Sequence, residues 1–219
     1  MSQIENTRDF KDAVYEHLAT VGKALSSSTR LEILEVLSQA PRTVESIAGE
    51  VDQSVANTSQ HLQKLKKARL VTSTRDGVHV IYTLSGDDIA PLLEHLNRVA
   101  TGHIAELEKL SKDFFTARDG LESVDQDTLM QRLKDDEVVL IDVRPEEEYH
   151  AGHLPGAISV PLNKLEAHLA NLPRDRSIVA YCRGPYCAFS ADAVRQLRAK
   201  GFEARRTEAS VSTWDIESL

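Results

Sequence analysis

Apolar residues along the first half of the chain recur at three- and four-residue intervals, the spacing that gives a helix one buried stripe. Phe10, Val14, Leu18, Val21 and Leu25 form one such series, and Leu31, Ile33, Leu34 and Leu37 form another that begins near Ser28 and closes before Pro41. A proline disfavours helical geometry in the residue before it. Thr43 is placed to cap a short helix carrying Val44, Ile47 and Val51; after a break at Asp52-Gln53, Ser54 caps a further helix to about Lys67. Val55, Leu62 and Leu65 are expected to face the core of that last helix. Ser54, Asn57, Thr58, Gln60, His61 and Lys64 are then left as exposed hydrogen-bonding groups, the chemistry that reads base edges and phosphates from a recognition helix.

Leu70 to Thr74 and Val78 to Leu84 follow as two strands around Arg75-Asp76-Gly77, a strong hairpin signal. A hairpin directly after a recognition helix is a wing, and it adds Arg75 and His79 to the DNA-contacting candidates. From Pro91 a helical pattern runs towards Phe114, with Leu93, Leu96, Ala100, His103, Leu107, Leu110 and Phe114 alternating as in the seam of paired helices. This predicts a homodimer on a double-stranded DNA operator built as an imperfect inverted repeat. Ser111 to Ser123 is expected to be a linker.

The pattern then changes. Val138-Val139-Leu140-Ile141-Asp142-Val143 and Ile178-Val179-Ala180-Tyr181 are near-continuous apolar runs, as in strands buried on both faces of a parallel sheet. Helical patterns lie around Thr128 to Lys134, Leu162 to Ala170 and Phe189 to Lys200, the last ended by Gly201. Alternating strand and helix implies an open α/β sheet whose ligand site lies beyond the carboxyl ends of the strands. Cys182 stands at such an end, and Arg183-Gly184-Pro185-Tyr186-Cys187-Ala188 leads from it into a helix, so backbone N–H groups can gather around a thiolate or persulfide anion.

Composition refines this picture. The 219 residues suffice for two ordinary domains. The formal charge of -8 argues against a nucleic-acid partner until its distribution is considered. Asp135-Asp136-Glu137 and Glu146-Glu147-Glu148 lie in the second half, whereas Lys64, Lys66, Lys67, Arg69 and Arg75 cluster in the first. Neither a bilayer-length apolar run nor a leader pattern is present, which places the chain in the cytoplasm with no membrane partner. The two cysteines, Cys182 and Cys187, share one segment. That excludes a disulfide-stapled scaffold and a closed zinc site, and leaves reactive chemistry.

The segments Ala24-Leu25-Ser26-Ser27-Ser28-Thr29-Arg30-Leu31-Glu32-Ile33-Leu34 and Ser54 to Leu65 resemble the ArsR/SmtB family of winged-helix repressors. The resemblance implies a homodimer that releases DNA on binding a metal, metalloid or reactive sulfur species. The cysteine pair that some members carry at the recognition helix is absent, as Val51-Asp52-Gln53-Ser54 stands there. Of the family's other metal site only His103-Ile104-Ala105-Glu106 remains, so no metal site is expected.

Asp142-Val143-Arg144-Pro145-Glu146-Glu147-Glu148-Tyr149, His153-Leu154-Pro155-Gly156-Ala157-Ile158 and the Cys182 loop resemble rhodanese-like domains. That resemblance implies that Cys182 accepts a sulfane sulfur from polysulfide, persulfide or thiosulfate, within a loop formed by Gly184, Pro185, Tyr186 and Ala188. Arg183 is expected to assist an anionic donor, and Asp142, Arg144, Tyr149 and His153 to be framework. Many sulfurtransferases carry Arg where this chain has Cys187, which suits resolution of a Cys182 persulfide into a disulfide.

The expected fold is therefore mixed: a winged helix-turn-helix domain, mainly α with a β-hairpin wing, over residues 1–110, a linker over 111–123, and an α/β rhodanese-like domain with a parallel sheet over 124–219. The expected function is a transcription regulator, a repressor, whose C-terminal domain senses reactive sulfane sulfur through Cys182 and Cys187, with no cofactor. The alternatives are a turning-over sulfurtransferase joined to a regulator, and a thiophilic metalloid sensor using the same cysteines.

Overall fold

The protein is described here by a computed structural model, which covers residues 6–120, 123–211 and Trp214. The chain divides into two compact units, Met1–His95 and Leu96–Leu219.

In the first unit, α1 (Thr7–Leu25) starts where the Asn6 side chain accepts from the amides of Arg8 and Asp9. Helix α2 (Ser28–Gln39) leads to β1 (Arg42–Thr43), then α3 (Val44–Glu50) and α4 (Val55–Lys67). Thr43 and Ser54 cap α3 and α4 by accepting from the amides of Ser46 and Asn57, as their side-chain type and position demand. Strands β2 (Val71–Asp76) and β3 (His79–Leu84) form the hairpin, and β1 adds to it antiparallel in the order β1-β3-β2. Asp76 pairs with His79, so the turn is Gly77-Val78, one position later than Asp-Gly patterning suggests, with Gly77 in the left-handed region at φ 56°. The core joins Ile33, Leu34, Val36 and Leu37 of α2 to Ile47, Leu62, Leu65 and Tyr82.

Two expectations about helix faces are corrected. Of the α1 stripe, Val21 and Leu25 pack on the core, but Phe10, Val14 and Leu18 are exposed. In α4 the core face is Thr58, Leu62 and Leu65, while Val55 is 44% exposed. Val55 is the first residue of its helix, where the 3.6-residue phase carries little weight against the direction in which the chain enters.

The helix expected from Pro91 to Phe114 is two helices, α5 (Ile89–His103) and α6 (Ala105–Asp119), parted at Ile104, whose φ of -114° and ψ of 92° are extended. Gly102, a poor helix former, sits in the turn before the break. The segment expected as a linker is thus helical as far as Asp119, and its Phe115 is buried under Arg206, 4.1 Å from the ring centroid. Leu121 and Glu122 lie outside the described residues.

The second unit continues with β4 (Ser123–Val124), α7 (Gln126–Lys134), β5 (Val138–Asp142), α8 (Glu146–Ala151) and β6 (Ile158–Ser159). Then come α9 (Leu165–His168) between two short 3-10 turns, β7 (Ser177–Tyr181), α10 (Ala188–Ala199) and β8 (Ala204–Thr207). The five strands lie in the order β4-β8-β7-β5-β6, every pair parallel. Strand alternation divides the core by face. Val139, Ile141, Ile178, Ala180 and Cys182 pack with Val194 and Leu197 of α10; Val138, Leu140, Val179 and Tyr181 pack with Leu129 of α7 and with Trp214. No helix among the described residues is long and apolar enough to cross a membrane.

Candidate functional site

Cys182 follows the last residue of the central strand β7 and is 2% exposed. From there the chain turns at Gly184, whose carbonyl accepts from the Cys187 amide at 3.1 Å, and Cys187 is the N-cap of α10. This return brings the two Cα atoms to 6.2 Å, and the sulfurs are joined in a disulfide. The span suits such a bond. Pro185 is exposed and Gly184, Tyr186 and Ala188 are partly so. The Tyr186 hydroxyl meets the Thr101 hydroxyl of α5.

Tyr181, the residue before Cys182, belongs to a buried ionic network on the other face of the sheet. Asp142, at the carboxyl end of β5, accepts from Arg144 Nη2 at 2.6 Å and from Tyr181 Oη at 2.5 Å, and Arg144 Nη2 also donates to the Gly152 carbonyl. Tyr181 Oη in turn accepts from the Leu154 amide. Burial, and then the negative charge of Asp142, push the Tyr181 phenol well above its usual range, so it stays protonated as a donor. Burial disfavours the Arg144 charge, but hydrogen bonds and charge from Asp142 outweigh it and raise its pKa. Tyr149 donates to the Ala157 carbonyl and stacks on His153 at 3.9 Å between ring centroids. These groups hold the loop that leads from β5 past α8, and none of these bonds reaches a cysteine sulfur.

Arg183 does not stand open to an incoming anion. Its Nε and Nη2 donate to Glu148 of α8, with Nη2 to Oε1 at 2.6 Å, and its side chain is 10% exposed. Glu148 is fully buried. The sequence hides it as the third member of Glu146-Glu147-Glu148, which patterning reads as a solvated acidic face. The usable signal is helical phase: Glu148 lies inward while Glu146 reaches Lys164 at the surface.

On the first unit, Ser54, Gln60 and Lys64 of α4 are exposed, Asn57 and His61 are partly so, and Arg75 and His79 flank the exposed hairpin tip. Thr58 is 0% exposed, which corrects its placement among the DNA-facing groups; its hydroxyl has no hydrogen-bond partner. His61 is held below its usual pKa by burial and by the charges of Arg30 and Lys64. Among the described residues no three His, Cys, Asp or Glu side chains gather as metal ligands would.

A helix-turn-helix with a hairpin wing, followed by a parallel sheet with a cysteine loop at the end of its central strand, defines a winged-helix regulator joined to a rhodanese-like domain. Residues 27–73 match the bacterial regulatory protein, arsR family, and residues 125–217 the rhodanese-like domain. The HTH-type transcriptional regulator Rv0324 of Mycobacterium tuberculosis is 40% identical over 211 residues, 96% of this chain and 92% of that protein. The chain therefore belongs to the ArsR family of transcription regulators, in the form that carries a C-terminal rhodanese domain. A sulfurtransferase of Allochromatium vinosum is 35% identical over 69 residues, 31% of this chain and 64% of that protein. The homodimeric winged helix-turn-helix DNA-binding domain of Mb0332 from Mycobacterium bovis is 35% identical, covering 48% of this chain and 95% of its own, with a TM-score of 0.42.

Proposed function

We propose that this cytoplasmic regulator is a homodimeric repressor whose rhodanese domain senses sulfane sulfur by cysteine chemistry. The observation that carries this reading is the bond between Cys182, at the end of β7, and Cys187, at the cap of α10. In the reduced protein the Cys182 thiolate attacks the outer sulfur of a persulfide, R–S–SH, taking that sulfur and releasing the thiol R–SH. The Cys187 thiolate then attacks Cys182 Sγ, closing the disulfide and expelling hydrosulfide. Two thiols and one persulfide thus give one disulfide, one thiol and one hydrogen sulfide.

For DNA, the α4 groups Ser54, Asn57, Gln60, His61 and Lys64 are assigned to the major groove, with Arg75 and His79 on the wing. Phe10, Tyr15 and Leu18 of α1 and Leu96 and Val99 of α5 are exposed apolar residues that a second copy would cover. The symmetry of that pair implies an imperfect inverted repeat as operator.

The test is DNA binding by the native protein, Cys182→Ser and Cys187→Ser, before and after polysulfide, with intact-mass measurement. The native chain is expected to lose two hydrogens and change its DNA affinity; Cys187→Ser gains sulfur without closing the bond, and Cys182→Ser does neither. Sulfur added to Cys182 with unaltered DNA affinity overturns the sensing reading. The similarity to a sulfurtransferase favours a second reading, catalytic transfer to an outside acceptor. It requires repeated turnover with thiosulfate or persulfide, which a protein that halts at the disulfide does not show.

A further inference from the structure

The first unit carries a cavity of about 370 Å³ whose lining includes Thr20, Lys23, Arg30, Lys64 and Lys67 and no carboxylate. Four cations around one concavity repel one another, and a fold keeps such a group at less cost when an anion comes to it. Arg30 is the built part. It is 8% exposed, and its Nε and Nη2 donate to the carbonyls of Ala24 and Lys23 at the end of α1, which fixes the plane of the guanidinium. Lys64 and Lys67 stand three residues apart on α4, so they share a face of that helix. Lys23 brings a further charge from α1. The positive field is felt beside the cavity, where, after burial, the charges of Arg30 and Lys64 lower the pKa of His61.

We infer that this cavity binds a tetrahedral oxyanion group, either a phosphate of the DNA backbone or a small free anion such as phosphate or thiosulfate. The ammonium groups of Lys23, Lys64 and Lys67 supply charge-assisted donors, and Arg30, its Nε and Nη2 already given to backbone carbonyls, adds a fixed positive charge beside them. The DNA source rests on the DNA-binding reading above; the free source does not. An anion in the cavity cancels part of the field on His61, so its imidazole reports occupancy directly.

The experiment follows the His61 ring by NMR in the full chain, titrated with pH in sodium chloride, sodium phosphate and sodium thiosulfate at matched ionic strength, and with a short mixed-sequence duplex. Lys23→Ala/Lys67→Ala and Thr20→Glu are the comparison proteins, their folding checked by Tm. An upward shift of the His61 titration in phosphate or thiosulfate but not chloride, abolished in both variants, establishes a free-anion site. A shift with duplex only, together with a slope of log affinity against log salt that is shallower by about one for each phosphate the double variant no longer neutralises, establishes a backbone phosphate. No shift with any anion or duplex, or an equal shift in the variants, overturns the proposal. The sulfur-sensing reading is untouched by that outcome, because no cysteine takes part.

Discussion

Arg183 Nη2 lies 2.6 Å from Glu148 Oε1, so the residue directly after Cys182 is tied by an ion pair to helix α8. A buried carboxylate left without its partner is costly. Arg183→Ala is expected to destabilise the protein by about 3–5 kcal/mol, and Glu148→Ala by a comparable amount, read from denaturant unfolding of the reduced chain. Arg183→Lys retains charge but cannot offer two nitrogens to the carboxylate, and falls between. If Arg183→Ala leaves stability unchanged and slows only the reaction with thiosulfate, the residue serves the donor and not the fold.

Thr58 makes the opposite prediction. Its hydroxyl is buried without a partner, so Thr58→Val removes an unsatisfied group at constant shape and is expected to raise stability by about 1 kcal/mol. Affinity for DNA, measured by fluorescence anisotropy, stays unchanged. A loss of DNA binding with the fold intact would return Thr58 to the interface.

His61 gives the first unit a pH dependence. Its pKa is lowered in the fold by burial and by the adjacent charges of Arg30 and Lys64, so the unfolded chain takes up its proton first as pH falls. Stability from this group is complete above the ordinary histidine value and is lost as the pH drops below it, levelling off once the folded imidazole is also charged. His61→Gln is expected to flatten that part of the stability profile, as thermal unfolding between neutral and mildly acidic pH would reveal.

Tyr186 and Thr101 share a hydroxyl contact within the second unit, which ties the cysteine loop to the last turn of α5. Reduction of the disulfide is expected to speed amide exchange in residues 183–187 and, through this contact, around Thr101. In Tyr186→Phe the loop still responds and the helix turn does not. Equal responses in both proteins would show that the contact carries no signal.

The readability of this chain followed the strength of local signals. Thr43 and Ser54 are caps by chemistry and position, and the burial of β5 and β7 follows from their unbroken apolar runs. Strand β6 has two residues, too few for any periodicity, and β8 reads Ala-Arg-Arg-Thr, its Arg206 buried against Phe115 in a contact that only the tertiary structure supplies. The same holds at the site. Cys182 and Cys187 stand out because they are rare and close in sequence, whereas Glu148 is masked by two acidic neighbours. The split between α5 and α6 was obscured because the three-and-four spacing passes through Ile104 without interruption.

One detail of the loop gives its disulfide a mechanical side. Cys187 is both one end of the disulfide and the residue from which α10 departs. The bond therefore anchors the first turn of a twelve-residue helix to the end of the central strand. Asp192 of α10 also pairs with Arg118 of α6, so the same helix is held at a second point by opposite charges.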